Sequence, residues 1–193
     1  NGKALVAYRD QGNSNYGVAL TTDYQLNYGT EATFESASVT GTSVSPPLTD
    51  PSDGARRVLI SYIDGGNSAY GTSIVATISG SNVSYGSPVV FQSAGSDYIN
   101  SDADTTNEKI VVGYRSSATV KAVVGTLSGT SVSFGTPVTA SSNNTYPLGN
   151  PRAVAYSPDT GRVAIVYHDG DDSSHAKIIL GTVSGTSISF GAE

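Results

Sequence analysis

The chain has 193 residues, a formal net charge of −6, and no Cys, Met or Trp. The missing cysteines exclude disulfides, thiolate metal sites and a cysteine nucleophile, and the acidic balance argues against a nucleic-acid surface, which needs clustered Lys and Arg. No apolar run approaches the ~18–20 residues of a membrane helix, and no charged segment followed by an apolar one opens the chain as a secretion signal would.

Ser (29), Gly (22) and Thr (20) are abundant, whereas Lys and Glu number four each. With Val, Ile and Tyr carrying much of the apolar content, the composition favours strands over helices. The absence of Met makes Asn1 read as an internal or processed start.

The first predicted strand is Lys3-Ala-Leu-Val-Ala-Tyr-Arg-Asp10, followed by the loop Asp10-Gln-Gly-Asn-Ser-Asn-Tyr16 and the pair Tyr28-Gly29. A strand over 44–49 leads into the turn Asp50-Pro-Ser-Asp-Gly54, where Pro presets φ and Gly accepts a positive one. Next come the apolar run Arg57-Val-Leu-Ile-Ser-Tyr-Ile-Asp64, the loop Asp64-Gly-Gly-Asn-Ser-Ala-Tyr70, a strand over 72–78, and Ile78-Ser-Gly-Ser-Asn-Val-Ser-Tyr85 with Gly86. The order then recurs. A strand over 98–103 and the turn 104–107 precede Lys109-Ile-Val-Val-Gly-Tyr-Arg-Ser116. A strand over 121–127 runs into Leu127-Ser-Gly-Thr-Ser-Val-Ser-Phe134. The last round has a strand over 152–156, a turn over 157–161 and Arg162-Val-Ala-Ile-Val-Tyr-His-Asp169. The loop Asp169-Gly-Asp-Asp-Ser-Ser-His175, a strand over 177–183 and Val183-Ser-Gly-Thr-Ser-Ile-Ser-Phe190 complete it.

Tyr8, Tyr62, Tyr114 and Tyr167 recur 54, 52 and 53 residues apart. Such a period marks a repeat architecture, and the units divide as 1–43, 44–97, 98–149 and 150–193. Each reads as four short antiparallel strands, the second so continuously apolar that both of its faces should be buried. The expected fold is all-β: a single β-propeller domain of about four blades, the first lacking its innermost strand. A β-solenoid fits less well, since its coils run ~20–30 residues. Tyrosines present in every unit are expected to serve packing.

The phrases Ser-Gly-Thr-Ser-Val-Ser-Phe-Gly-Thr-Pro-Val (128–138) and Pro-Asp-Thr-Gly-Arg-Val (158–163) resemble the repeats of β-propeller proteins of environmental bacteria and viruses, some of them similar to tail-fibre or surface-adhesin proteins. That resemblance covers essentially the whole chain. It implies a non-enzymatic binding or structural module at an extracellular, cell or virion surface, with carbohydrate as one ligand class. The phrases are strand and turn phrases, so they carry fold rather than chemistry. Sialidase-like propellers carry a Ser-x-Asp-x-Gly-x-x-Trp box. The loops at 10–16 and 64–70 share its Asp-x-Gly and a later aromatic, lack the leading Ser, and place the aromatic one position late. A sialidase-like glycan hydrolase is therefore the alternative. The Gly-His and Trp-Asp pairs of WD-type propellers are excluded by the absence of Trp.

The loops after the second strands hold the candidate ligand residues: Asp10, Asn13, Tyr16, Asp64, Asn67, Tyr70 and His175. Exposed rings suit stacking on sugar faces, and Asp and Asn can accept from hydroxyls. Asp169, Asp171 and Asp172 form the most oxygen-rich cluster, a candidate Ca²⁺ site. No other cofactor is expected. The competing reading is turn chemistry, because Asp, Asn, Ser and Gly are what tight loops use. No catalytic set emerges: His168 and His175 are the only histidines, and no nucleophile-elbow phrase occurs. Asn82-Val-Ser84 and Asn143-Asn-Thr145 match the glycosylation acceptor. The expected partners are a glycan or cell-surface ligand and further copies of the chain, recruited through a strand edge left open by the missing strand. No nucleic acid and no membrane span are expected.

Overall fold

The computed structural model describes residues 3–23, 25, 27–50, 52–142 and 154–191. All regular structure among these residues is β-strand, and every strand pairing is antiparallel.

The first unit holds β1 (Ala4–Asp10), β2 (Tyr16–Thr22) and the front of β3 (Ala32–Val44). The second holds the rest of β3 with β4 (Leu48–Thr49), β5 (Arg56–Asp64), β6 (Tyr70–Ser79), β7 (Asn82–Tyr85) and β8 (Val89–Gly95). The third comprises β9 (Asp97–Asp104), β10 (Lys109–Ser116), β11 (Thr119–Ser128), β12 (Ser131–Phe134) and β13 (Val138–Ser141). The fourth comprises β14 (Val154–Ser157), β15 (Arg162–Asp169), β16 (His175–Ser184) and β17 (Ser187–Phe190).

Two features depart from the sequence expectation. The fourth strand of the second and third units comes in two pieces. β7 and β8 pair opposite ends of β6, and β12 and β13 pair opposite ends of β11. The break falls just after the aromatic-Gly pair, at Gly-Ser-Pro (86–88) and Gly-Thr-Pro (135–137), where Pro cannot donate to the ladder. Second, the chain passes from the first unit to the second and from the second to the third without a loop. β3 pairs β2 through Ala32 to Ser38 and β5 from Val39 onward, so the first handover lies a few residues before the expected boundary at 44. Between the second and third units only Ser96 separates β8 from β9. The expected boundary at 149/150 lies outside the described residues.

The hairpins follow turn chemistry. Gly80, Gly129 and Gly185 have φ near +60° and lead two-residue turns closed by the pairs Ser79–Asn82, Ser128–Ser131 and Ser184–Ser187. Gly at the first central position suits the right-handed strand twist. This is why the Ser-Gly-Thr/Ser phrase repeats.

Three hydrophobic cores lie between consecutive units. Leu5, Ala7, Phe34, Val39, Val58, Ile60 and Tyr62 join the first unit to the second. Leu59, Val75, Phe91, Ile110, Val112 and Tyr114 join the second to the third. Val111, Val124, Val163, Ile165, Tyr167 and Ile179 join the third to the fourth. Strands β5 and β10 send alternate residues into the core on either side, so the units stack face to face in chain order. The expected burial of both faces holds for these two strands. It fails for β1, whose residues are all exposed or half-open, and for β15, which alternates from Val163 between buried and half-open, because among the described residues each end unit has a neighbour on one side only. Among the described residues, β1 pairs with β2 and with no strand on its other edge.

Candidate functional site

The loops joining second to third strands line one end of the stack. Asp10 Oδ1 accepts from the Gly12 N–H at 2.9 Å, Asp64 Oδ1 from the Gly66 N–H at 2.9 Å, and Asp169 Oδ1 from the Asp171 N–H at 3.0 Å. Behind each carboxylate the backbone makes the same two turns. Tyr16 N–H donates to Asn13 O, Tyr70 N–H to Asn67 O, and His175 N–H to Asp172 O. Each loop ends on a left-handed pair: Ser14-Asn15, Ser68-Ala69 and Ser173-Ser174. The third unit replaces this loop with the two-residue turn Ser117-Ala118, also left-handed. Asp10, Asp64 and Asp169 therefore shape their loops through side chain to backbone bonds.

That leaves Asn13 and Asn67 exposed at the tips and His175 exposed at the start of β16, with Tyr16 and Tyr70 half-buried at the start of the other two returning strands. The loops are locked to the handover strands. Val39 N–H donates to Asn15 O at 3.1 Å, and Ser96 N–H to Ala69 O at 3.0 Å. From the other side, Gly65 N–H donates to Ser38 O at 2.8 Å, and Ser116 Oγ to Gly95 O at 3.0 Å. Gly65 and Gly66 answer to this contact. A β-carbon on Gly65 would lie 2.7 Å from Ser38 O, and one on Gly66 2.5 Å from the Ala37 β-carbon. The loop row is thus continuous through the first three units, with neighbouring loops about one sheet spacing (~10 Å) apart.

Beneath the second loop, Tyr62 donates to Glu35 Oε2 at 3.0 Å, while Glu35 Oε1 accepts from Ala37 N–H at 2.9 Å. Burial, and then the Glu35 charge, raise the Asp64 carboxyl above its ordinary value. Tyr62 is fully buried, with its ring 5.2 Å from that of Phe34. Burial drives its phenol well above the usual tyrosine range, so it holds its proton and acts as a structural donor. Tyr114 repeats the arrangement on Phe91 and Gln92, with its hydroxyl 2.9 Å from Gln92 Oε1.

The candidate Ca²⁺ ligands are not gathered into a cage. Asp169 is 3% exposed and turns one oxygen to the Asp171 amide. Asp172 bonds Lys177 Nζ at 2.5 Å and His175 Nδ1 at 3.1 Å. Lys177 first, and His175 second, hold its carboxyl below the usual range. Among the described residues no group of three His, Asp or Glu side chains is arranged to hold a metal ion. The loop resembles an ion loop in composition, but its lysine already supplies the positive charge.

One cluster escapes the sequence reading. At the opposite end, Arg57 Nη1 bonds Asp50 Oδ2 at 2.7 Å and Asp53 Oδ1 at 2.8 Å, and Arg57 Nη2 bonds Asp53 Oδ2 at 2.6 Å. It borders a cavity of about 510 Å³ lined by Lys3, Pro47, Arg56, Val58 and Ile78. The turn Asp50-Pro-Ser-Asp-Gly54 just before Arg57 was the available signal, since a hairpin brings such neighbours together.

No family model matches the chain, and no curated protein sequence does. Among solved structures, TolB from Acinetobacter baumannii is similar at 9% identity with a TM-score of 0.32, over 98% of this chain and 52% of that one. The chain thus spans about half of that protein's length, and a likeness at this level carries no argument about fold or function. No helix among the described residues is long and apolar enough to cross a membrane.

Proposed function

We propose that the chain is a propeller-type module of four blade-like repeats that binds rather than catalyses, displayed at an extracellular, cell or virion surface, with glycans as its ligand class. One observation carries this reading. The first two units present loops of the same backbone form side by side, each with an exposed Asn (Asn13, Asn67) beside a half-buried Tyr (Tyr16, Tyr70). Rings held at a strand start can stack on the apolar face of a sugar, and the amides beside them can exchange hydrogen bonds with hydroxyls. Rigid sheets displaying repeated loops suit several weak, equivalent sites whose avidity exceeds each affinity.

The test is a titration with a glycan panel followed by amide chemical shifts. The expected result is weak, parallel perturbation of both loops, abolished in the Asn13→Ala/Asn67→Ala double variant. Perturbation elsewhere, or none, would overturn the reading. Steady turnover of a fluorogenic glycoside would favour the hydrolase instead.

A further inference from the structure

Inside the chain one interface is built three times. Each unit meets its predecessor with a front face formed by alternate residues of its second strand: Val58, Ile60 and Tyr62; Ile110, Val112 and Tyr114; Val163, Ile165 and Tyr167. All nine are buried. The matching residues of the first unit are Ala4, Val6 and Tyr8. Ala4 is exposed, Val6 is 42% exposed and Tyr8 is half-buried. Each unit meets its successor with a back face, which in the third unit includes Ala122 and Val124, both buried. The matching residues of the fourth unit are Ile178 and Leu180, exposed at 54% and 44%.

A second mark of the interface is the glycine of the aromatic-Gly pair. Gly29, Gly86 and Gly135 each receive a main-chain carbonyl from the next unit's hairpin. A β-carbon there would lie 2.1 Å from Ser81 O, 1.6 Å from Thr130 O and 1.8 Å from Thr186 O. Gly191 is the fourth of the series. The nearest atom to its β-position is Leu180 O of its own unit, at 3.9 Å. The socket is built, and among the described residues nothing sits in it.

The geometry points to a second copy of this chain as the occupant: the front face of its first unit docks on the back face of the fourth, head to tail. Among the described residues one face of each kind is unpaired, and each of the three internal interfaces joins a front to a back. A front-to-back contact between copies therefore repeats an interface the fold already makes. It brings Ala4, Val6 and Tyr8 onto Ile178 and Leu180. Such a contact is heterologous, so it propagates until a ring closes or a filament grows. It uses sheet faces rather than strand edges, and it stands independently of glycan binding.

Sedimentation velocity on the intact chain over a concentration series tests this. The wild type should form dimers and larger species as concentration rises. Val6→Asp alone, and Ile178→Asp/Leu180→Asp alone, should each weaken self-association about tenfold or more. Circular dichroism should show both folded, since the altered positions are exposed. Mixed together, the two variants should form a one-to-one dimer that grows no further, because one retains the back face and the other the front. Gly191→Val, which fits the free monomer, should also weaken association. A wild type that stays monomeric at its highest attainable concentration would overturn the proposal, including the case where the first and fourth units close on each other within one chain. So would wild-type oligomers with no dimer in the mixture, the pattern expected of edge pairing or of like faces meeting.

Discussion

Gly86 lies directly beneath the main-chain carbonyl of Thr130: a β-carbon on it would come within 1.6 Å of that oxygen. Thr130 belongs to the hairpin of the next unit, so this glycine is set by the stack and not by its own strand. Gly86→Ala and Gly135→Ala should each force the hairpin away and cost about 1–3 kcal/mol of stability, in the range of overpacked cores. Gly191→Ala, whose β-position has its nearest neighbour among the described residues in Leu180 O at 3.9 Å, should stay within about 0.5 kcal/mol of wild type. Urea unfolding of the three variants checks the contrast, and equal losses would mean the glycines serve their local backbone instead.

The tyrosines divide in the same way. Tyr62 and Tyr114 are buried at inter-unit cores and donate to Glu35 and Gln92. Removing either hydroxyl with Phe should cost about 1–2 kcal/mol, because the acceptor loses its partner in a partly buried place. Truncation to Ala should cost about 3–5 kcal/mol. Tyr8 occupies the matching position on an open face and is only half-buried, so Tyr8→Ala should cost much less than Tyr62→Ala. Similar losses at both positions would show that the front face of the first unit is covered in solution.

These contrasts mark where sequence reading stops. The repeat, the strand order, the turn glycines and the packing role of the tyrosines were legible because they rest on local period and turn chemistry. Burial of a second strand was not, because it depends on a neighbour. Arg162-Val-Ala-Ile-Val looks as apolar as Arg57-Val-Leu-Ile-Ser, yet Ala164 and Val166 are only half-covered while β5 is buried on both faces. Gly65 and Gly66 read as turn residues, but their space is taken by Ser38 and Ala37 of the handover strand. At the candidate site the loop repeat was legible. The diversion of Asp172 to Lys177 was not, since it needs the register that sets β16 beside its own loop.

Arg57 should be the most costly charge to remove. It is 7% exposed and faces the fully buried Asp50, with Asp53 on its other side. Arg57→Ala would strand a buried carboxylate and should cost about 3–5 kcal/mol near neutral pH. The acid limb carries a second signature. The Arg57 guanidinium holds the Asp53 carboxyl at about 2, against an ordinary 3.8. A carboxyl lowered on folding contributes stability that is fully present above 3.8 and lost as pH falls through about 2. In the Asp53→Asn variant that part of the acid limb should flatten, as read by thermal midpoints across the window.

Asp64 should behave in the opposite sense. Its carboxyl is raised by burial and by Glu35, so folding favours the protonated form. Its contribution is present below the ordinary carboxylate range and lost as pH rises through the raised value. Asp64→Asn keeps an oxygen for the Gly66 N–H and removes the charge facing Glu35. The variant should be at least as stable as wild type at pH 7, and its advantage should vanish in acid. A loss at pH 7 would mean that the second loop needs its carboxylate for more than the turn.

The fourth loop gives the last test. Asp169 closes its turn on the Asp171 amide, and Asp172 is paired with Lys177 and His175. A Ca²⁺ ion would have to draw its six to eight oxygens from a loop whose carboxylates already have partners. Chelator treatment followed by added Ca²⁺ should therefore leave the thermal midpoint unchanged. Lys177→Ala, which frees Asp172 from its strongest partner, should raise the Asp172 pKa toward its ordinary value and leave the fold intact, as followed by carboxyl carbon shifts. A midpoint that rises with Ca²⁺ in the wild type would show that the ion displaces Lys177 and rebuilds the loop around itself.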